Sequence, residues 1–78
     1  MPRYYFDVIN GHGLERDDEG KELPSSDAVR FHVAEIVTAI ARDEFPENTA
    51  VSIKVVVRDD TDFAIFSGSL TFEVQWND

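Results

Sequence analysis

The sequence predicts an α+β fold, one helix packed on an antiparallel sheet of three or four strands in the order β-β-α-β-β. Apolar residues at helical spacing occupy one stretch, Ser25 to Phe45. Period-two alternation fills the chain on either side of it, and Asn-Gly and acidic tetrapeptides stand where that alternation breaks. Seventy-eight residues form a single domain, 1–78, with a stability on the order of 4–12 kcal/mol.

The first strand runs from Arg3 to Ile9, with Tyr4, Phe6 and Val8 alternating against Tyr5, Asp7 and Ile9. Large apolar groups on both sides mark a central strand, or one whose second side is covered. Asn10-Gly11-His12-Gly13 then predicts a hairpin, the Asn-Gly pair and the second glycine supplying positive φ. A short second strand returns around Leu14 to Arg16, and Asp17-Asp18-Glu19-Gly20 turns the chain again. Lys21-Glu22-Leu23 leads into the helix, and Leu14 and Leu23 are expected to anchor this polar excursion.

Val29, Val33, Ile36, Val37 and Ile40 lie on one side of a 3.6-residue helix, the side predicted to face the sheet. Ser25 is the expected N-cap, Asp27 complements the positive end of the dipole, and Pro46 stops the helix near Phe45. Phe31, Ala34, Thr38, Ala41 and Phe45 form a second stripe with heptad-like steps. Either the apolar side is simply wide, with both phenylalanines packing on loops, or this stripe is a self-association surface.

Pro46-Glu47-Asn48-Thr49 reads as a loop, followed by a strand in which Val51, Ile53, Val55 and Val57 alternate with Ser52, Lys54, Val56 and Arg58. Asp59-Asp60-Thr61-Asp62 is a turn, and the last strand is expected from Phe63 to about Trp76. A two- or four-residue loop there sets Val57 against Ala64, Val55 against Phe66, Ile53 against Gly68 and Val51 against Leu70. Gly68 then makes room for the helix or allows a bend. On the outer side Val56 meets Ile65 beside Phe63, and with Tyr5 and Ile9 this surface is too apolar for solvent. Either something covers it or a bulge at Gly68 turns Phe63 and Ile65 inward.

The chain has no cysteine, which excludes disulfides, thiolate metal sites and cysteine nucleophiles. Sixteen acidic against seven basic residues give a net charge of -9. Such a chain is repelled by nucleic-acid phosphates and anionic membranes. No apolar run has signal or membrane-span length, so a cytoplasmic protein, unprocessed apart from loss of Met1, is expected.

Reactive groups are sparse. His12, between two glycines, is placed to transfer protons or bind metal, but nothing near it in sequence completes a catalytic set, and a polar turn residue explains it better. His32 has Glu35 three residues on, the spacing of a weak helical pair rather than a zinc site. Asp17-Asp18-Glu19 and Asp59-Asp60-Thr61-Asp62 lack the glycine and distal acid of a calcium loop. Ser67-Gly68-Ser69 is not a nucleophile elbow, and Trp76 and Tyr4 read as core aromatics rather than stacking platforms.

Met1-Pro2-Arg3-Tyr4-Tyr5-Phe6-Asp7-Val8, with Asn10-Gly11, the acidic turn and the Glu22-Leu23-Pro24 approach to the helix, resembles a family of short bacterial proteins of unknown function. Its pattern is an M-P-R-Y-[FY]-F-D-[VL] opening and a D-x-x-G-x-x-L-P turn before one helix, met here by Asp17, Gly20, Leu23 and Pro24, with Gly11 matching the glycine ahead of that turn. The resemblance covers nearly the whole chain and implies no catalytic residue, substrate or cofactor. Where relatives carry charged helix positions, Phe31, His32 and Phe45 stand here.

The expected function is a non-enzymatic protein-interaction module without cofactor or metal, a homodimer or partner of another protein. It would bury either the Phe31/Ala34/Thr38/Ala41/Phe45 stripe or the Tyr5/Ile9/Val56/Phe63/Ile65 surface. The alternatives are a small metal-binding or catalytic domain using His12 with Asp17-Asp18-Glu19, and an acidic binder of a basic protein partner.

Overall fold

Strand β1 (Arg3–Asn10) sits inside the sheet, as its two apolar sides require. It pairs antiparallel with β4 (Ala50–Arg58) on one edge and with β2 (Gly13–Glu15) and β3 (Lys21–Glu22) on the other. Strand β5 (Ala64–Glu73) closes the order β2-β1-β4-β5, with β3 pairing β1. The computed structural model describes residues 1–47 and 49–77, the Glu47 side chain excepted. Within them one helix, α1 (Ser26–Glu44), lies on a five-stranded antiparallel sheet. The α+β class and element order follow the sequence pattern, the two-residue β3 being an addition.

The core is the meeting of two valine-rich surfaces. Val51, Ile53, Val55 and Val57 of β4 and Phe6 of β1 are buried against Val29, Val33 and Val37 of α1, with Ile36 and Ile40 packed at the border. Ser25 caps the helix, its Oγ accepting the Ala28 N–H at 3.2 Å. Pro46 does not end it in a loop: Phe45 stays helical (φ -56°, ψ -42°) and Phe45–Glu47 form a 3₁₀ turn, a geometry that suits the fixed φ of proline. The Phe45 ring stands edge-on to Phe72 at 4.5 Å, a contact the continued turn secures. The expected loop position Asn48 lies outside the described residues.

Three expectations are corrected. In the hairpin, Gly13 (φ 114°) supplies the positive φ and Gly11 does not. Leu14 is 66% exposed and anchors nothing, whereas Leu23 packs on the core and donates its N–H to the Pro2 carbonyl. The last strand stops at Glu73, leaving Trp76 outside it and 88% exposed rather than in the core.

The β4–β5 register is two residues further along β5 than the loop rule gives. Val57 faces Phe66, Val55 faces Gly68, Ile53 faces Leu70 and Val51 faces Phe72, while Val56 meets Ser67 rather than Ile65. The turn is longer than assumed. Asp59 donates its N–H to the Phe63 carbonyl, its carboxylate accepts the Thr61 and Phe63 N–H groups, and Asp62 adopts φ 71°. Arg58 then pairs with Ala64, and the irregularity sits at Ile65, not at Gly68. Gly68 does make room for the helix: a Cβ there would come within 2.7 Å of Val33 Cγ1.

Candidate functional site

The charge in the middle of β1 is the first feature that the alternation does not explain. Asp7 and Arg58 are both buried on the sheet side away from α1, and they form a two-pronged ion pair. Arg58 Nε donates to Asp7 Oδ2 at 2.7 Å and its Nη2 to Oδ1 at 3.0 Å. The same guanidinium donates to the Asp17 carbonyl at 2.8 Å and to Asp62 Oδ1 at 2.6 Å, and lies 5.1 Å from the Tyr5 ring centroid. One arginine thus ties β1, β4, the turn after β2 and the turn before β5.

Asp17 completes the lock. Its N–H donates to Asp7 Oδ1, and its carboxylate accepts the N–H of Phe6, Glu19 and Gly20 at 3.0–3.1 Å. The Phe6 bond fills the place on the β1 edge between β2 and β3. Gly20 (φ 72°) lets the turn lie against β1: a Cβ there would stand 2.8 Å from the Tyr5 ring and 2.9 Å from the Tyr4 carbonyl. The D-x-x-G segment is therefore a structural clasp.

Hydrogen bonds from Arg58 pull the Asp7 pKa below the ordinary aspartate value. Burial opposes ionisation of Asp17, yet its backbone donors from Phe6, Gly20 and Glu19 outweigh that and lower its pKa as well. Carboxylates with depressed folded-state pKa values contribute stability that is present above their unfolded pKa, about 3.9, and lost as pH falls through the folded one. The thermal midpoint is expected to hold from about pH 7 to 5 and to drop below about pH 4. A midpoint unchanged down to pH 2 would contradict the clasp.

The two edges of the sheet are treated differently. The β1 edge is covered by two short strands bearing Glu15, Lys21 and Glu22 and by the Asp17 carboxylate. The described residues place no strand beyond β5. All of that strand but its last residue, Glu73, lies in Phe63–Phe72, ten consecutive uncharged residues and the longest such run in the chain. Natural edges are normally blunted by charge, proline or brevity. Here the bulge at Ile65 does so at one end and the charge of Glu73 at the other, leaving the middle of the strand bare.

The expected interface residues fall into unequal groups. On α1, Phe31, Ala34 and Thr38 are exposed, Ala41 is half-buried, and Phe45 is exposed beside Phe72. Thr38, Ala41 and Phe45 line, with Arg42, Val51, Leu70 and Phe72, a mostly apolar cleft of about 260 Å³, so this stripe borders the β5 edge. His32, on the opposite flank, stands edge-on to Phe6 of β1 at 4.7 Å. The sheet group is not one surface. Tyr5 is half-buried under Arg58, Ile9 is exposed opposite Lys54, Val56 is half-buried between Asp7 and Ser67, and the ion pair interrupts them. Phe63 (71%) and Ile65 (51%) are exposed near the final turn.

The histidines have simple partners. His12 Nε2 lies 3.3 Å from Glu44 Oε1, and His32 Nδ1 lies 3.4 Å from Glu35 Oε1. The acidic turns are internally used, Asp59 by Thr61 and Phe63, Asp62 by Arg58 and Arg16. Among the described residues no group of three or more His, Asp or Glu is arranged to hold a metal, and no helix is long and apolar enough to cross a membrane.

Sequence reasoning missed the pairing of Asp7 with Arg58. A partial signal was present: each is a charge at an outer-side position of a strand, beside large apolar residues and of opposite sign to the other. Fold and clasp together define a small α+β domain with one closed and one open sheet edge. The chain belongs to the DUF6894 family, a domain of unknown function, whose profile matches residues 3–71 and so includes the clasp and most of β5. No curated protein and no solved structure shows a significant match to it.

Proposed function

We propose that this protein is a non-enzymatic interaction module that self-associates through apolar surface a single chain leaves uncovered. The observation that carries this reading is an excess of surface. The chain exposes 5729 Å², whereas a monomer of 8.8 kDa is expected to expose about 4,800 Å². The excess, roughly 900 Å², is of the order of one partner's share of a standard interface, about 800 Å². Shape agrees with area: the radius of gyration is 14.0 Å, against about 11.5 Å for a compact chain of this length. Exposed aromatics, Phe31 and Phe63 among them, are of the kind that anchor interfaces.

Sedimentation equilibrium over a concentration series tests the reading. A species of twice 8.8 kDa is expected at micromolar concentration. A monomer persisting to high micromolar concentration would remove its basis.

A further inference from the structure

We infer that the occupant of the open edge is a second copy of this chain, arranged about a two-fold axis that pairs β5 with β5 antiparallel and sets the two α1 helices side by side; this rests on the self-association proposed above. Four observations lead there.

The first is charge. Two chains of net charge -9 repel, so a contact between copies is favoured where like charges are absent. Every β5 residue but the last, Glu73, lies in the longest uncharged run, and the five residues of the helical stripe beside it are uncharged too.

The second is self-complementarity, which a two-fold interface demands because each patch must fit its own copy. Phe31, Ala34, Thr38, Ala41 and Phe45 read nearly the same in both directions about Thr38, with a phenylalanine seven residues to either side. In an antiparallel pair, Phe31 of one copy meets Phe45 of the other, and the small alanines admit close approach between them. Thr38, on the axis, has its hydroxyl bonded to the Ala34 carbonyl at 2.7 Å, so it brings no unsatisfied group to the contact.

The third is distance. Helix α1 packs on both β4 and β5, and an axis set between the two strands would lie about half a strand spacing inside β5. Adding a paired strand at the usual spacing of about 4.8 Å puts each helix roughly 4.8 Å from the two-fold. The helices are then about 9.6 Å apart, inside the 8–10 Å at which helices pack.

The fourth is alignment. Val33 stands over Gly68 and Phe45 against Phe72, so α1 runs along β5 and Thr38 shares a cleft with Leu70. One axis therefore serves both elements, passing by Thr38 and near Leu70.

The absence of native cysteine makes the axis directly testable. Under mild oxidation, Thr38→Cys is expected to form a covalent dimer, since a residue on the axis meets its own copy within disulfide reach. Ser26→Cys, at the far end of the helix, is expected not to. Thr38→Glu, which places two carboxylates face to face at an exposed position, should weaken dimerisation about tenfold or more with the circular dichroism spectrum unchanged. A wild-type dimer whose Thr38→Cys form does not cross-link, or cross-links no better than Ser26→Cys, or whose Thr38→Glu form associates as tightly, overturns this arrangement while leaving self-association standing. A wild-type monomer at high micromolar concentration overturns both.

Discussion

Arg58→Met is expected to destabilise the folded chain by about 3–5 kcal/mol, the usual result of removing one partner from a buried ion pair. Asp7 would remain buried with its charge unopposed, the Asp17 carbonyl would lose its side-chain donor, and Asp62 would keep only Arg16. Against a total on the order of 4–12 kcal/mol, that loss brings the chain close to unfolding at room temperature. Urea denaturation gives the number. The double variant Asp7→Leu/Arg58→Met should recover part of the loss, because no lone charge is left behind, though the Asp17 N–H still lacks its acceptor. A single-variant loss below about 1 kcal/mol would mean the pair is not the fastening described.

The second large effect is expected at Gly20. An alanine there must adopt φ near +72°, which costs about 1–2 kcal/mol. It must also place a Cβ 2.8 Å from the Tyr5 ring and 2.9 Å from the Tyr4 carbonyl. The carbonyl belongs to a strand paired on both edges, so relief requires the turn to lift away from β1. Overpacking of this kind adds about 1–3 kcal/mol, for a total of about 2–5 kcal/mol by urea unfolding. Gly11→Ala is the matched control. Nothing lies within 4 Å of a Cβ at Gly11, and a change within about 0.5 kcal/mol is expected. Equal effects at the two glycines would contradict the clasp.

What could be read from the chain was what depends on local period. The helix limits, its Ser25 cap, its buried valines and the sides of β1 and β4 all follow from spacing along one element. The register of β5 did not, because a single left-handed residue, Asp62, and the bonds to Asp59 set the turn length, and neither is encoded as a period. The clasp was half legible. Asp17 and Gly20 stood out as a turn, but their purpose lay in Asp7 and Arg58, fifty-one positions apart, and side-by-side strands had to be known before the two charges could be joined. Tyr5, Ile9, Val56, Phe63 and Ile65 share a sheet side by alternation alone, and the buried Asp7–Arg58 pair that divides them depends on strand neighbours that alternation does not encode. The helical stripe needed only helical geometry, and the exposure of Phe31, at 68%, is a property of the chain alone.

Backbone hydrogen exchange along a dilution series reads the open edge most directly. As concentration rises through the association range, amides within Ser67–Phe72 that point away from β4 should pass from fast to slow exchange, with those of β1 unchanged. Exchange in β5 that is equally fast at every concentration, in a sample that nonetheless doubles its mass, would show that the second chain sits elsewhere.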